Sequence, residues 1–312
     1  MKTELVTVTS LFMAFAAQCA FAAEQGFSGS IGAVAIYSET QSNLNIGAEK
    51  ILTSLNREGE IVTGSTLAPL GQLRYQFGQH QLFLGQSEDT FVKGLLALEL
   101  GYQYSLDENS SFSFAIAPTL AAGKTWQNPY LLDRKREETN VEGDVLRFHY
   151  DNQFALLNLA YYDRTVEKDR APSELLRRNG DGYFAHFALV VPFFDDVFLE
   201  PSLFYQRDYA QGKANAFEKM GGGITATYFF YPYSLALDTR LSGSSYQAKH
   251  PLLGKIRQDG QINVSLSFEE AEFLGYEQMS LVAQVGYEQS HSNLTFYHRE
   301  EFGILIGGLY RF

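Results

Sequence analysis

The sequence predicts an all-β fold, and three observations support this class. Apolar and polar residues alternate with a period of two along most of the chain, which is typical of strands. The chain contains 25 Phe and 19 Tyr, residue types that fit a pleated sheet better than a helix. No window of the sequence has a convincing amphipathic helical pattern. The clearest alternation lies in residues 261–269, where Ile262, Val264, Leu266 and Phe268 share one face.

The composition excludes several other classes of protein. The chain has 312 residues, of which 45% are hydrophobic and 19% charged, so it is not a disordered chain. A single Cys cannot form a disulfide within the chain, which rules out a disulfide scaffold. The formal net charge of −12 argues against a nucleic-acid partner, because a phosphate backbone is bound by a basic surface.

The amino terminus has the pattern of a secretory signal peptide. A charged start precedes a mostly apolar run over residues 5–17, and Ala20 and Ala22 form a small-x-small cleavage site. The run is too short to span about 30 Å of hydrocarbon as a helix. We therefore expect residues 1–22 to direct export through the inner membrane and then to be removed, leaving residues 23–312 as a single domain.

Three features favour a transmembrane barrel over a soluble β-sandwich. Aromatic residues gather at the ends of the predicted strands, as in the aromatic girdles of outer-membrane barrels. The face opposite the apolar residues carries Gly, Ala, Ser, Gln and scattered charges, which suit a wet lumen better than a dry core. The connections alternate between short and long. The expected architecture is an up-and-down antiparallel β-barrel over residues 23–312, in the outer membrane.

We predict 14 strands, at residues 27–37, 66–77, 80–88, 91–105, 111–123, 142–151, 153–163, 181–192, 196–209, 218–231, 233–246, 259–269, 277–289 and 301–312. Twelve strands are the alternative, because segments 80–88 and 142–151 have weak patterns. The long connections are 38–65, 124–141, 164–180, 210–217, 247–258 and 290–300. A short link near 87–89, where a long connection is expected, is the exception to the alternation of short and long connections. An even count places both termini on the periplasmic side, where such barrels have short turns.

Two of the long connections contain segments with helical character. Residues 49–55 can form one or two helical turns, and so can residues 173–178, which precede Gly180. A loop helix that folds into the mouth of the barrel would narrow it, whereas a solvated loop helix would leave it open.

The carboxyl-terminal strand resembles the terminal signal of bacterial outer-membrane barrels. It ends in Phe312, with Tyr310 two residues earlier and Ile304 and Ile306 at alternating positions upstream. The resemblance implies that the barrel-assembly machinery recognises these four residues before the strand closes the barrel against the first strand. The physical basis is the pairing of one exposed strand edge with another.

Three segments resemble a domain-of-unknown-function family of predicted Gram-negative outer-membrane proteins. They are Glu24–Gly29, Leu67–Tyr75 and Gly94–Tyr102. The resemblance covers most of the chain after residue 22. It implies a porin-like barrel but no particular activity.

Charged residues on the polar face of the strands are the candidate functional residues. A charge that faces lipid near the membrane midplane would cost about 2–4 kcal/mol, so charges at mid-depth are expected in the lumen. The candidate lumen charges are Arg74, Glu99, Arg147, Glu200, Asp238, Arg240 and Glu288. Both signs occur, so these residues can pair across strands to stiffen the wall or can select solutes at a constriction.

No catalytic, cofactor-binding or metal-binding residue is predicted. His291, Ser292 and Asn293 resemble the residue content of outer-membrane lipid hydrolases, but neighbouring side chains on an extended chain point in opposite directions. The hydrolase pattern also has Gly after the Asn, where this sequence has Leu294. The six His residues show no spacing typical of metal ligands on a common face.

The sequence therefore predicts an integral outer-membrane barrel that forms a passive, porin-like channel for small solutes. The alternative is a non-conducting structural or surface-interaction barrel whose extracellular loops bind lipopolysaccharide or another partner. A lipid hydrolase at the rim is a third possibility. The expected partners are outer-membrane lipid and lipopolysaccharide, the barrel-assembly machinery during insertion, and small solutes, with no nucleic acid and no cofactor.

Overall fold

The computed structural model describes residues 25–86, 98–118 and 123–312. These residues form seventeen strand segments, numbered β1 to β17 in chain order. The bounds are Gly26–Gln41, Ile61–Phe77, His80–Gly85, Glu99–Asp107, Ser110–Pro118, Gly123–Trp126, Glu138–Glu142, Asp144–Asn152, Ala155–Val166, Gly180–Leu189, Val191–Phe194, Val197–Ala210, Phe217–Phe230, Tyr233–Lys249, Ile256–Ala271, Met279–Ser292 and Arg299–Arg311. Short 3-10 helices at Glu174–Leu176, Phe273–Gly275 and Thr295–Tyr297 lie in the connections.

Fourteen of these segments form the wall of a closed antiparallel barrel. Strand β1 pairs with β2 on one side and with β17 on the other, which closes the sheet. Strands β3 to β5, β8 to β10 and β12 to β16 complete the wall. Segment β11 continues β10, and β6 with β7 forms a hairpin in the connection between β5 and β8. The prediction of a 14-stranded barrel is confirmed.

The two segments with weak sequence patterns are full members of the wall. Strand β3 pairs along its length with β2 and β4, and strand β8 pairs with β5 and β9. A strand ladder is built from backbone N–H and C=O groups, so it does not require a regular side-chain pattern. The twelve-strand alternative is therefore wrong.

Alternation separates outward from inward side chains. Outward positions carry large apolar residues such as Ile31, Leu67 and Leu203, which are 62%, 80% and 69% exposed. The intervening positions point into the barrel, where Glu99 and Asp238 are almost fully buried. The inner face carries many polar residues and also one apolar cluster, formed by Val34, Ala68 and Leu305. An apolar outer face is what a hydrocarbon surrounding requires of a barrel.

Several strands continue beyond their predicted ends at the end of the barrel that has the long connections. Strand β1 extends to Gln41 rather than 37, β14 to Lys249 rather than 246, and β16 to Ser292 rather than 289. The added pairs are polar, as in Glu39 opposite Thr63. Hydrophobic alternation stops where the membrane stops, but backbone pairing does not, so the wall projects beyond the apolar zone.

Some predictions fall outside the described residues. These are the signal peptide at 1–22, the link at 87–89, the first part of the strand predicted at 91–105 and the end of the strand predicted at 111–123. Across the described ranges, no helix is long and apolar enough to cross a membrane.

The helical turns predicted at residues 49–55 are wrong. Ile51 and Leu52 instead form isolated bridges with Lys135 and Leu132, in the connection between β5 and β8. Backbone hydrogen bonds to that facing connection replace the bonds that a helix would make within itself. A tertiary contact has therefore overridden the local helical tendency.

Candidate functional site: a loop core above a charged inner wall

Apolar side chains from six connections meet at the long-loop end of the barrel. The buried members, which we call the loop core, are Leu52, Tyr130, Ala171, Leu176, Ala214, Leu294, Phe296 and Tyr297. Leu253, from the connection between β14 and β15, packs against them. The six connections leave the wall at different points of its circumference. They can touch one another only by converging over the mouth of the barrel, so the loop core lies across this mouth.

The connection between β9 and β10 enters the loop core through one helical turn. The 3-10 helix Glu174–Leu176 realises the helical segment predicted at 173–178, shortened to three residues. Its two leucines differ in environment, because Leu176 is fully buried whereas Leu175 is 40% exposed. The helix thus contributes one apolar side chain to the loop core.

One buried arginine joins two of the connections. The Arg136 guanidinium donates hydrogen bonds to the backbone oxygens of Asn43 at 2.7 Å and Pro129 at 3.3 Å, and also to that of Glu49. It lies 4.2 Å from the centroid of the Trp126 ring, in a cation–π contact. Burial lowers the pKa of Arg136 to about 10, which leaves it charged at neutral pH. Arg136 therefore fixes backbone positions directly.

A buried histidine lies among the aromatic residues of the loop core. The Nδ1 atom of His250 accepts hydrogen bonds from the backbone N–H groups of Leu252 and Leu253, at 3.3 and 3.2 Å. An accepting ring nitrogen carries no proton, which assigns the proton to Nε2, 3.0 Å from the Tyr297 hydroxyl. Burial, reinforced by the positive charge of Arg257, lowers the pKa of His250 to about 4.

Two tyrosines and an arginine connect this histidine to the wall. The hydroxyls of Tyr297 and Tyr130 are 2.7 Å apart, and burial raises the pKa of both phenols. The Arg257 guanidinium lies 3.7 Å from the centroid of the Tyr297 ring and 4.4 Å from that of Tyr246, and it pairs with Asp259 at 2.7 Å. Since Arg257 is on β15 and Tyr246 on β14, this stack joins the loop core to the wall.

Four of the predicted lumen charges occur as close pairs on the inner wall. Arg147 Nη2 lies 2.6 Å from Glu99 Oε2. Arg240 Nη2 lies 3.0 Å from Asp238 Oδ2, which also accepts a hydrogen bond from the Thr225 hydroxyl at 2.8 Å. Each pair brings together charges that would be costly to bury alone.

The other three predicted charges have different surroundings. Glu288 Oε1 lies 3.4 Å from Arg299 Nη2, close below the loop core. Arg74 donates a hydrogen bond to a neighbouring glutamine side chain at 2.5 Å. Glu200 is the cross-strand partner of Thr225, in the same row as Asp238.

The inner wall also carries charged residues that are not among the predicted lumen charges. They include Arg164, Asp208, Lys219, Arg257, Asp259, Arg299 and Glu301. A signal for Asp208 was present, because it has the same parity as Glu200 on a predicted strand. Arg164, Arg257 and Arg299 lie one or two residues beyond the predicted strand ends, so the alternation of the predicted strands does not reach them.

The glycine run at residues 221–223 makes room for large side chains on the inner wall. A Cβ atom on Gly223 would lie 2.6 Å from Arg240 Cγ, and one on Gly221 would lie 2.6 Å from Phe204 Cζ. Only glycine leaves this space, so the run is a packing feature of β13.

The residues considered for a lipid hydrolase do not come together. His291 Nδ1 faces His298 Nε2 at 2.6 Å on the outer side of the wall. Ser292 is buried on the inner side, where its hydroxyl accepts a hydrogen bond from the N–H of Leu294. Within the part of the chain that the structure describes, no three His, Cys, Asp or Glu side chains are grouped to hold a metal ion.

The four residues of the predicted assembly signal face outward at the end of the chain. Ile304, Ile306, Tyr310 and Phe312 are 43–56% exposed. Strand β17 pairs with both β16 and β1, and Phe312 and Gly29 exchange backbone hydrogen bonds of 2.8 and 3.0 Å. This is the geometry of a strand that closes a barrel, while its recognition by the assembly machinery stays a prediction.

A closed barrel of 14 antiparallel strands with an apolar outer face is a membrane-spanning architecture, because closure leaves no unpaired strand edge in lipid. The protein is an integral outer-membrane β-barrel, surrounded by membrane lipid. It belongs to the family "Protein of unknown function (DUF2860)", whose model matches residues 26–311. The family resemblance seen in the sequence is confirmed.

Several solved structures are similar to the chain at low identity. A "Bacterial polysaccharide outer membrane secretin" is 10% identical with a TM-score of 0.47, covering 90% of this chain and 98% of that one. The P. putida toluene transporter TodX is 10% identical with a TM-score of 0.47, covering 93% and 91%. Acinetobacter baumannii OccAB1 is 9% identical with a TM-score of 0.43, covering 91% and 96%. No curated protein matches the chain, and none of these similarities assigns a solute to it.

Proposed function

We propose that this barrel is a passive channel for small solutes, closed at its long-loop end by the loop core. Barrel diameter grows with strand number. The interior of an eight-stranded barrel is just wide enough to be filled by side chains, and 14 strands enclose more space than that. The inner wall suits hydrated solutes, because it carries hydroxyl groups and charges of both signs.

The observation that carries this proposal is that side-chain packing between connections covers the mouth. Leu52, Leu176 and Phe296 come from three different connections and are all fully buried. The loop core can open independently of the wall, since its side-chain contacts can be lost while the backbone ladder of the strands stays intact. A cover that can open without unfolding the barrel fits a channel with closed and open states.

The pairing of inner charges favours weak selection by charge. Glu99 pairs with Arg147 and Asp238 pairs with Arg240 at close range, so each pair presents no net charge to a solute. We infer that the size and polarity of a solute matter more than its net charge.

Removal of one side chain from the loop core tests the channel. Leu176→Ala would leave a cavity at a fully buried position, a change that costs about 2–5 kcal/mol in protein cores. In planar bilayers we expect rare conductance steps from the wild type and frequent steps from Leu176→Ala, because the closed state has lost packing. Leu175→Ala is the matched control, since the neighbouring Leu175 is 40% exposed, and it should behave as the wild type does.

Folding and insertion must be verified separately from conductance. Both variants should migrate as folded barrels in unheated gel samples and should reside in the membrane fraction. A Leu176→Ala barrel that inserts but never conducts would overturn the channel. That result would favour the alternative of a structural or surface-interaction barrel.

A further inference from the structure

We propose that His250 is an acid-sensitive latch of the loop core, and that its protonation releases the connections over the mouth. The latch rests on the proposed channel function, because the loop core is the closure that it controls. His250 joins three connections. Its Nε2 atom is 3.0 Å from the Tyr297 hydroxyl, and its ring meets the Tyr130 ring edge-on at a centroid distance of 5.2 Å.

The connection that carries His250 disfavours a second proton on the ring. Nδ1 already accepts hydrogen bonds from the N–H groups of Leu252 and Leu253. A proton on Nδ1 would turn this atom into a donor facing two other donors, so both hydrogen bonds would be lost. The charged residues flanking this segment, Lys249 and Lys255, are both positive and exposed. Protonation would therefore cost two hydrogen bonds without gaining an acid partner from the segment itself.

The elements packed against His250 disfavour the proton as well. The connection between β16 and β17 presents the Tyr297 hydroxyl, and the connection between β5 and β8 presents Tyr130, both of them neutral groups. The wall presents the positive guanidinium of Arg257, which is stacked on the Tyr297 ring. A cation at His250 would thus meet two phenols and another cation.

The nearest carboxylates are already paired with arginines. Asp259 pairs with Arg257 at 2.7 Å, and Asp169, near Tyr130, pairs with Arg178 at 2.8 Å. Within the described ranges, no carboxylate forms a hydrogen bond with His250. An imidazolium formed inside the closed loop core would lack an opposite charge, whereas in an open core water would solvate it.

The direction of the pH effect follows from the pKa of His250 in the two states. Burial lowers this pKa to about 4 in the closed loop core, whereas a solvated histidine has a pKa of about 6.5. Above about pH 6.5 both states are neutral, so the closed state keeps its full stability. As the pH falls from about 6.5 toward 4, the open state gains more of the proton than the closed state, so opening becomes roughly 150-fold more favourable by pH 4.

The single tryptophan of the chain provides a readout that is independent of conductance. Trp126 is 1% exposed, and its indole N–H donates to the Asn45 carbonyl oxygen at 3.2 Å, within the same group of connections. Acrylamide is an uncharged quencher, so its access to Trp126 can be compared at about pH 7.5 and about pH 4.5, on either side of histidine titration. For the wild type we expect stronger quenching and more frequent conductance steps at the lower pH.

Variants at His250 separate the latch from other effects of acid. His250→Asn keeps an acceptor for the two N–H groups but cannot be protonated, so it should abolish the pH response of Trp126 quenching. His250→Gln, which keeps a donor toward Tyr297, is the second non-titrating variant if His250→Asn does not fold. His298→Asn is the matched control, because His298 pairs with His291 on the outer side, and it should respond as the wild type does.

The possible results distinguish the latch from the channel. Quenching that depends on pH in the wild type but not in the His250 variants, without any conductance, would support the latch and overturn the channel. A wild type whose quenching is the same at both pH values would overturn the latch. A pH response that survives in both His250 variants would overturn it too, and a response lost in His298→Asn would place the sensor at the outer histidine pair.

Discussion

At the scale of single residues, Arg136 and His250 show how buried polar side chains organise long connections. Each bonds to backbone groups, Arg136 to carbonyl oxygens and His250 to N–H groups. Buried backbone groups require partners, and at these positions of the connections neither a helix nor a sheet supplies them. The polar side chains therefore take over a task that secondary structure performs in the wall.

Loss of Arg136 is expected to loosen the connections while leaving the wall intact. Hydrogen bonds to charged groups contribute about 1.5–3 kcal/mol each, and Arg136→Ala removes three donors to backbone oxygens. We expect a several-fold increase in acrylamide quenching of Trp126 at neutral pH. Arg134→Ala is the control, because Arg134 lies in the same segment but is exposed. Equal quenching in the two variants would show that Arg136 does not hold the connections.

At the scale of elements, the seam between β17 and β1 completes the barrel. Twelve residue pairs join the two strands, from Ser30 opposite Arg311 to Gln41 opposite Glu300. The seam joins the first and the last strand of the wall, so β17 must be formed before the barrel can close. The recognition of the outward residues of β17 by the assembly machinery, which stays a prediction, would precede this closure.

Truncation of the terminal aromatic residue is expected to impair insertion. Phe312→Ala removes an outward ring that is 56% exposed, at the level where aromatic residues anchor barrels in the membrane interface. The fraction of chains that migrate as folded barrels from the membrane fraction should fall several-fold. Leu309→Ala, which changes an inward residue of the same strand, is the control. Normal insertion of Phe312→Ala would remove this residue from the assembly signal.

At the scale of the whole molecule, the wall and the loop core differ in the kind of contact that stabilises them. The wall has a continuous backbone ladder without a free edge, whereas the loop core relies on a small set of apolar side chains and a few polar bonds. Local parts of a protein with few buried contacts open before the globally stable parts. The loop core should therefore be the less stable of the two.

Heating is expected to open the loop core and to unfold the wall in two separate transitions. Trp126 fluorescence should change at a lower temperature than the one at which the folded barrel disappears from gels, because the loop core opens first. Leu176→Ala should lower the first temperature by several degrees and leave the second unchanged, whereas Leu175→Ala should alter neither. A single shared transition would show that the loop core and the wall unfold as one unit.

By itself, the sequence determined the wall. The direction of a strand side chain follows from its position alone, so alternation predicted the strand number, the lipid-facing residues and inward charges such as Glu99, Arg147 and Asp238. The terminal strand and the family membership could also be predicted from the sequence, since both depend on local patterns.

Only the tertiary structure decided which residues meet. Glu99 and Arg147 lie on strands β4 and β8, which are separated in the wall by β5, so their contact depends on the pairing order of the sheet. The loop core depends on closure of the barrel, which brings Leu52, Leu176 and Phe296 over one mouth. Local patterns specify the direction of a side chain, whereas contacts between distant connections arise only when the circumference is closed.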